Sequence, residues 1–419
     1  ANIMYLKFEQ LSASVQNMLE KDNWIFNTGN KLTSALDDGL SRAMYSAFAS
    51  AQLAYDEWLS LDITARNDWS STLPKKNNSF FYPSASLSWV FSDFMRSIDH
   101  KLPSWITFAK LRVSAAQVGK DPAPYNLYNV RKYQFEMGNR KPINNTIKLN
   151  ANLKPEIKTS YEVGVDMKFL DNRLGFDFTY YYNTTKNQAM LVDASSPWTQ
   201  QWVNAGKINN TGVEFMLYGT PVKTRDFQFD ITANLAHNSS TVKELADGVN
   251  RVYFAGDSNM PVKVGAVKGG KLGDIFANNL MQRDAQGRVI IGDDGLPMAA
   301  TGDGNLEQYL LDHPIGNIQP DLLMSITPTF TYKGISLTAM FDMKFGGDIV
   351  SVSEGMATSV GTSERTAYRG EYKTVGGVQD WYMVVPGVKA DGSVNTQEVS
   401  AQKYYSTIGL YSSQKGYAE

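Results

Sequence analysis

The sequence predicts an all-β protein, specifically a segment of a transmembrane antiparallel β-barrel with short turns at one end of its strands and long loops at the other. Three observations predict this fold. Apolar and polar residues alternate with a period of two, the alternating runs are ~11–15 residues long, and short connections between runs alternate with long ones. No stretch of about 18 apolar residues occurs, so no membrane-spanning helix is expected.

The composition argues against several other classes of protein. Among the 419 residues, 40 Lys and Arg stand against 42 Asp and Glu, and a net charge of −2 gives no overall basic field for nucleic acid. Aromatic residues make up 12% and charged residues 20%, a balance too apolar for a disordered chain. The lack of cysteine excludes disulfides, thiol catalysis and Cys-ligated metals, and the three histidines, His100, His237 and His313, are scattered.

The N-terminal third of the chain contains two hairpins with one apolar face each. The first runs from Tyr45 to Tyr55 and turns at Asp56-Glu57 into a strand whose apolar positions are Leu59, Leu61, Ile63 and Ala65. The second places the apolar positions of one strand against those of the next, namely Phe81, Ala85, Leu87, Trp89 and Phe91 against Ala109, Leu111, Val113 and Ala115.

Three more hairpins follow the same rule. The clearest alternates from Tyr161 to Phe169, turns at Asp171-Asn172 and resumes with Leu174, Phe176, Phe178, Tyr180 and Tyr182. In the next, Val213, Phe215 and Leu217 precede a turn at Pro221 and a strand with Phe227, Phe229, Ile231, Ala233 and Leu235. The last turns at Lys333-Gly334, between a strand from 322 to 332 and one from 335 to 343. About ten strands are therefore predicted.

The connections favour a barrel over a soluble β-sandwich, which stays open as an alternative. A sandwich also has one apolar face per sheet, but nothing in it requires every second connection to be long. In a barrel the opposite face would line a water-filled interior, and it carries the charged residues Asp62, Arg66, Lys110, Arg112, Asp166, Lys168, Glu214, Asp230, Asp342 and Lys344. Aromatic residues near strand ends agree with rings at membrane interfaces.

Six groups of motifs, in order along the chain, resemble the SusC/RagA class of TonB-dependent outer-membrane transporters. They are ITARNDWSSTLP (63–74) with FFYPSASLSWVF (80–91), LKPE (153–156) leading into YEVGVD (161–166), VNAGKINNTGVE (203–214), GDIF (273–276), IGNIQPD (315–321) with YKGIS (332–336), and GGD (346–348). The resemblance covers most of residues 39–350.

This resemblance implies a barrel of 22 strands in the outer membrane of Bacteroidota, with periplasmic turns and extracellular loops. It also implies a SusD-like lipoprotein lid, and energy from TonB acting through a plug and a TonB box. The cargo would be an oligosaccharide (glycan) or an oligopeptide. No plug or TonB box is recognisable in these 419 residues, so the sequence is expected to be a fragment.

Three regions are expected on this basis. Residues 1–38 match poorly and are expected to hold at most an upstream strand and loop. Residues 39–350 should form barrel strands with extracellular loops at 119–159, 187–206 and 239–320. Residues 351–419 should be an extracellular loop region, incomplete at its C-terminus. Active nutrient import is the favoured function, with a passive porin or adhesin barrel as the alternative and a soluble β-sandwich binding module less favoured.

Exposed aromatic residues in the long loops are the candidate ligand-binding groups. A flat ring can stack on a sugar face while neighbouring polar groups bind its hydroxyls. The candidates are Tyr125, Tyr128, Tyr133 and Phe135 in the loop after the second hairpin, and Trp198 and Trp202 in the loop after the third hairpin. The alternative is that these rings pack the loops together or against the lid.

Catalysis and cofactors are not expected. His237, near Ser239 and Ser240, is better interpreted as a loop residue than as part of a catalytic triad. The glycine-rich stretch 265–273 lacks the Gly-Lys-Ser/Thr of a phosphate-binding loop. Calcium is a weaker hypothesis for the carboxylates of the third long loop, because their spacing is not that of a calcium-binding helix-loop-helix: Asp284, Asp293, Asp294, Asp303 and Asp312.

Overall fold

A computed structural model describes residues 2–18, 29–100, 102–128, 132–136, 139–143, 146–204, 206–255, 262–301 and 305–409. The chain divides into two compact units. Unit 1 comprises Ala1–Ala236, Lys243–Val249 and Ser325–Phe341, and unit 2 comprises His237–Val242, Asn250–Met324 and Asp342–Glu419.

Strands account for most of the regular structure. In chain order they are β1 Asn2–Met18, β2 Gly29–Tyr55, β3 Leu59–Ser70, β4 Ser79–Val90, β5 Ile106–Lys120, β6 Lys132–Glu136, β7 Asn139–Ile143, β8 Ile147–Lys148, β9 Glu156–Phe169, β10 Leu174–Lys186, β11 Ala189–Asp193, β12 Gln200–Asn204, β13 Lys207–Lys223, β14 Phe227–Glu244, β15 Arg251–Ala255, β16 Val262–Val267, β17 Asp274–Ala277, β18 Gly316–Asn317, β19 Leu322–Tyr332, β20 Ile335–Thr338, β21 Phe341–Phe345, β22 Glu371–Val375, β23 Val378–Val384 and β24 Glu398–Ser400.

The helices are few and short. They are α1 Phe91–Ser97, α2 Leu306–Asp312, α3 Val352–Val360 and α4 Ala401–Ile408, with a 3-10 turn at Glu364–Thr366. Among the described residues, no helix has both the length and the apolar character needed to cross a membrane.

A twelve-stranded sheet dominates the fold. Its strands follow the order β1-β2-β3-β4-β5-β9-β10-β13-β14-β19-β20, and β21 also pairs with β19. The registers described within it are antiparallel. Strands that follow one another in the sequence are also neighbours in the sheet, except where the short strands of a long connection come between them. The predicted all-β, antiparallel fold is confirmed.

The register places the predicted apolar positions of β2 to β5, β9, β10 and β13 on one face of this sheet. Val165 of β9 lies between Leu111 of β5 and Phe178 of β10. One residue further along β9, Asp166 lies between Lys110 and Asp177. Because successive side chains point to opposite sides of a strand, these two rows belong to two different faces, which we call the apolar face and the polar face.

Aromatic rings cluster on the sheet near its short turns. Trp105 stacks on Phe169 with ring centroids 5.7 Å apart. On the neighbouring strands, the ring centroid of Phe176 lies 6.0 Å from that of Phe169 and 6.0 Å from that of Phe215. A second group at the first two short connections joins Tyr55, Trp58, Trp89, Phe91 and Phe94. By the register, each of the rings Phe169, Phe176 and Phe215 lies two residues further along the sheet than the one before, so they form a diagonal stack that starts at the short turn.

Three details differ from the sequence-based expectation. Phe91 begins helix α1 instead of continuing β4. The turn predicted at Pro221 lies further on, because β13 continues to Lys223 and the chain reverses before Phe227. The predicted strand 335–343 is split, because its residue Ala339 donates to the carbonyl of Pro328 at 3.2 Å but Pro328 has no N–H to donate in return.

The regions at the two ends of the chain are also structured. Residues 1–38 contain β1 and the first part of β2, which pair in antiparallel register. Residues 351–419 contain helices α3 and α4 and the three-stranded sheet β22-β23-β24. A four-stranded sheet, β15-β16-β17-β18, forms from the segment between β14 and β19.

Unit 2 has small apolar cores of its own. Phe276 and Ile275 of β17 are each 2% exposed. One cluster consists of Ile291, Leu296, Val385 and Val399, and another of Met383, Ala401 and Tyr405. These clusters bury apolar side chains in the way that water-soluble domains do.

Candidate functional site

The polar face of the large sheet carries a bidentate ion pair between strands β5 and β10. Nη1 of Arg112 donates to Oδ2 of Asp177 at 2.7 Å, and Nη2 donates to Oδ1 at 2.8 Å. Nη2 also donates to the hydroxyl of Thr179 at 3.3 Å. Gly164 of β9 lies between the two strands, and an added Cβ there would be 2.8 Å from Arg112 Nη2. The missing side chain therefore lets the guanidinium cross β9.

A second charged group lies on the same face nearer the long loops. Asp68 is buried, accepting from Nε of Arg66 at 2.8 Å and from the hydroxyl of Tyr82 at 2.6 Å. Arg66 Nη2 in turn donates to the hydroxyl of Ser46 at 3.0 Å. Because the carboxylate has charged and neutral donors, its burial is compensated by hydrogen bonds from β2, β3 and β4.

A third charged group fixes the start of the first long loop. Asp121, the residue after β5, accepts from Arg42 at 2.6 and 3.1 Å. It also accepts from the hydroxyls of Ser70 at 2.5 Å and Thr72 at 2.9 Å, and it is 8% exposed. Donors from β2 and from the end of β3 therefore hold the loop residue in place.

The first two long loops, 121–155 and 187–206, are joined by their own strands. Strand β8 of the first loop pairs in parallel with β12 of the second, which pairs with β11. Asn204 of the second loop also accepts from the backbone N–H of Lys154 at 2.7 Å and donates to its carbonyl at 2.8 Å. Leu153, in the first loop, is fully buried in a cluster with Leu73 and Phe80. These contacts make the two loops one structured region.

The structure divides the sequence-predicted ligand-binding residues into two groups. Tyr125 and Tyr128 are 61% and 64% exposed, and the Tyr125 hydroxyl accepts from the backbone N–H of Ser41 at 2.9 Å. Trp198 and Trp202 are half-buried in the second loop, where Trp202 is paired with Leu191. The side chains of Tyr133 and Phe135 lie outside the described part of the structure. The exposed tyrosines have the accessible rings that ligand stacking needs, and their role stays a prediction.

A concave surface in unit 2 was not singled out by the sequence analysis. It is a cavity of about 530 Å³ between α3, β23 and α4, lined by Trp381, Asp380, Arg369, Gln402 and Ser406 among others. No local sequence pattern indicates it, because these side chains come together only through tertiary contacts between α3, β23 and α4.

Two of the three histidines contact residues that the structure describes. Nδ1–H of His237 donates to the carbonyl of Asp321 at 2.5 Å. His313 stacks on Tyr309 with ring centroids 4.2 Å apart. Asp303 lies outside the described residues.

The other carboxylates proposed for calcium are engaged separately. Asp284 accepts from Arg288, Asp294 from the backbone N–H of Leu296, and Asp312 from Gln308, while Asp293 lies 3.6 Å from Lys389. Where the structure describes side chains, no group of three or more metal-binding residues occurs. Calcium binding therefore stays a prediction.

Comparison with known proteins identifies a family model that covers more than half of the chain. The model is described as "TonB dependent receptor-like, beta-barrel" and matches residues 11–272. The match includes the strands that carry the three charged groups of the polar face.

Individual relatives are more distant. The chain is 27% identical over 330 residues to TonB-dependent receptor SusC of Bacteroides thetaiotaomicron, covering 73% of this chain and 32% of that protein. It is 24% identical over 329 residues to TonB-dependent receptor P3 of Formosa agariphila, covering 74% and 32%. The chain thus spans about a third of the length of the curated relatives it matches.

Solved structures show the same fold. The RagAB peptide importer in its closed-closed state aligns with a TM-score of 0.64 and 20% sequence identity, over 82% of this chain and 38% of that chain. The open-open state of the same importer gives a TM-score of 0.64 and the same identity.

Proposed function

This chain belongs to the TonB dependent receptor-like β-barrel family, and from that premise we propose that its protein imports an oligomeric nutrient actively across the outer membrane. The resemblance to the SusC/RagA class inferred from the motifs is confirmed by the match to SusC and by the fold shared with RagAB. The chain is an outer-membrane β-barrel segment, as the members of this family are.

The observation that carries the proposal is the two-faced sheet. Its apolar face exposes side chains such as Val163 and Leu87, which lipid can cover, whereas the polar face carries the Arg112–Asp177 pair and the Asp68 group. A charged face lining the barrel interior supports an aqueous path for a polar cargo. The structured loops at one end supply a place for the cargo to bind before it enters that path.

The cargo and the partners belong to the same proposal. We expect an oligosaccharide or an oligopeptide, the latter because the RagAB structures are described as those of a peptide importer. A SusD-like lipoprotein would cover the loops, and TonB would supply energy through a plug. The exposed rings of Tyr125 and Tyr128 would stack against the cargo. No catalytic step and no cofactor is part of the proposal.

The first experiment tests the partner. The full-length protein would be extracted from outer membranes in mild detergent and weighed by native mass spectrometry. Co-purification with a lipidated protein of comparable size is expected. A barrel that runs alone would contradict the lidded importer and favour a passive porin or an adhesin. Extraction into buffer without detergent would favour a soluble binding module.

The second experiment tests the loop tyrosines. In cells that depend on the cargo, Tyr125→Ala with Tyr128→Ala should lower the apparent uptake affinity about tenfold, because each lost stacking contact is worth roughly 0.5–1.5 kcal/mol. The matched control is Tyr368→Ala, a tyrosine of similar exposure in unit 2. Uptake that the double variant leaves unchanged would remove these rings from the binding site.

A further inference from the structure

The apolar face changes character along strands β10 and β13 as they approach the second long loop. From Leu174 to Tyr182, every second residue of β10 is apolar or aromatic, a run ~27 Å long. Beyond Tyr182 the same face carries Thr184 and then Lys186, the last residue of the strand. The apolar band therefore ends in a polar row and then in a cationic one, as a membrane–water boundary requires.

Strand β13 repeats this order at the same levels. Thr184 lies directly opposite Asn209, and the Thr184 hydroxyl donates to Asn209 Oδ1 at 3.1 Å. Asn209 Nδ2 donates to the hydroxyl of Tyr182 at 2.6 Å. This hydrogen-bonded polar row sits directly above the aromatic rings and below the lysines.

The cationic row places like charges against one another. Lys186 and Lys207 are direct cross-strand partners, and both lie on the apolar face by the alternation of their strands. Directly opposed like charges destabilise a sheet unless an anion lies between them. Lys186 is exposed, and the Lys207 side chain keeps 34% of its accessible surface.

The neighbouring strand β14 adds one more lysine and one carboxylate. Lys243 is exposed, and it lies on the same face as Leu235 by alternation, next to Val242, whose side chain is fully buried. Glu244 is 3.9 Å from Lys207, a long contact for an ion pair. Three lysines against one carboxylate leave the row cationic.

A groove for apolar chains lies on the same face beside this row. Ala85 of β4 and Ala115 of β5 are direct cross-strand partners, and their small side chains leave a depression of about 300 Å³. Larger residues form its walls, among them Leu87, Val113, Tyr161 and Tyr182. Tyr182 belongs both to this groove and to the polar row below Lys186. A cationic row and an apolar groove are thus continuous.

We propose that Lys186, Lys207 and Lys243 bind the phosphate of an anionic outer-leaflet lipid whose acyl chain lies in the groove floored by Ala85 and Ala115. Lys186 lies four residues, or ~13 Å, further along β10 than Tyr182, the outermost ring of the apolar band. Lipid headgroups begin at this distance from the apolar band. The lysines project from the lipid-covered face and not from the polar face, so a lipid fits them better than a cargo in the barrel interior does. This inference goes beyond nutrient import.

The test measures lipid retention by the full-length protein in detergent, without any transport assay. Native mass spectrometry would follow binding of phosphorylated lipid A, with dephosphorylated lipid A as the uncharged probe. Phosphorylated lipid should bind at least tenfold more tightly, and Lys186→Gln with Lys207→Gln should remove most of that preference, since each lysine near a membrane surface contributes roughly a fivefold affinity gain. Raising the salt concentration should weaken the wild type more than the variant.

The matched control removes two lysines from the polar face at a similar level of the sheet. Lys120 of β5 and Lys158 of β9 lie on the polar face, because they alternate with the apolar positions of their strands. The double variant Lys120→Gln with Lys158→Gln should therefore leave lipid retention unchanged. Lys186→Arg with Lys207→Arg should restore it if the first variant is folded. Equal retention of both lipids by the wild type, or an equal loss in the control pair, would overturn the proposal whatever the protein transports.

Discussion

The two units of the chain use the same apolar residue types in opposite ways. In unit 1, Leu53 and Ile63 on the apolar face of the sheet are 62% and 42% exposed. In unit 2, Ile291 is 1% exposed, inside a cluster formed by neighbouring loops and strands. An exposed apolar face of this extent is unfavourable in water, so the comparison indicates that lipid covers the apolar face of unit 1, whereas unit 2 has a buried apolar core of its own.

The polar residues differ in the same sense. In unit 1 they form long-range groups such as Arg112–Asp177, joining strands far apart in the sequence. In unit 2 many belong to turns, where Asp284, Asp294 and Asp391 accept from backbone N–H groups two residues further on. Regular strand register therefore organises the charges of the sheet, and local turn chemistry organises those of unit 2.

The largest expected effect tests the self-contained core of unit 2. Ile291→Ala should destabilise this unit by about 2–5 kcal/mol, because it removes a buried side chain and leaves a cavity among Leu296, Val385 and Val399. Hydrogen exchange of the full-length protein should show faster exchange in peptides of unit 2. Strands β9 and β10 should keep their protection. Loss of protection throughout both units would break the distinction between them.

A smaller effect tests the two faces of the sheet. Val165→Arg places a charge at mid-strand on the apolar face and should lower the stability of the folded barrel in lipid by about 2–4 kcal/mol. Asp166→Ala, its neighbour on the polar face, should change that stability little. Urea unfolding in vesicles, followed by tryptophan fluorescence, measures both. Equal losses at the two positions would contradict the assignment of the faces.

The sheet could be predicted from the sequence because its signal is local. Strict alternation from Tyr161 to Phe169 determines which residues share a face, and the turn residues Asp171-Asn172 determine where the chain reverses. The split at Pro328 could not be predicted in the same way. It depends on the proline lying opposite Ala339, which requires the register of the neighbouring strand.

The candidate sites were predicted less completely, for a related reason. The exposed rings of Tyr125 and Tyr128 were found because aromatic residues in a polar loop stand out. The parallel pairing of β8 with β12 left no such signal, since it joins residues more than 50 positions apart. The Lys186–Lys207 pair could not be predicted, because Lys186 is the last residue of β10, Lys207 is the first residue of β13, and only the register shows that they are opposed.

The smallest expected effect concerns Asp380, in the cavity of unit 2. The Ser400 hydroxyl donates to its Oδ2 at 2.6 Å and the Trp381 backbone N–H to its Oδ1 at 2.7 Å, and these bonds lower the pKa of the Asp380 carboxyl. A pKa that is lower in the folded than in the unfolded state stabilises unit 2 at pH values above about 4, and this contribution is lost as the pH falls through the folded value.

Acidification should therefore loosen the contact between β23 and β24, though only slightly, because Asp380 is close to solvent. Hydrogen exchange at pH 5 and pH 3, corrected for intrinsic rates, should show a small loss of protection around Trp381 and Ser400. Asp380→Asn should remove this pH dependence and leave strands β9 and β10 unaffected. A variant that kept the wild-type pH dependence would assign the titration to another group. Loss of the pH dependence in Asp380→Asn would show that this one carboxylate of β23 controls the local order between β23 and β24.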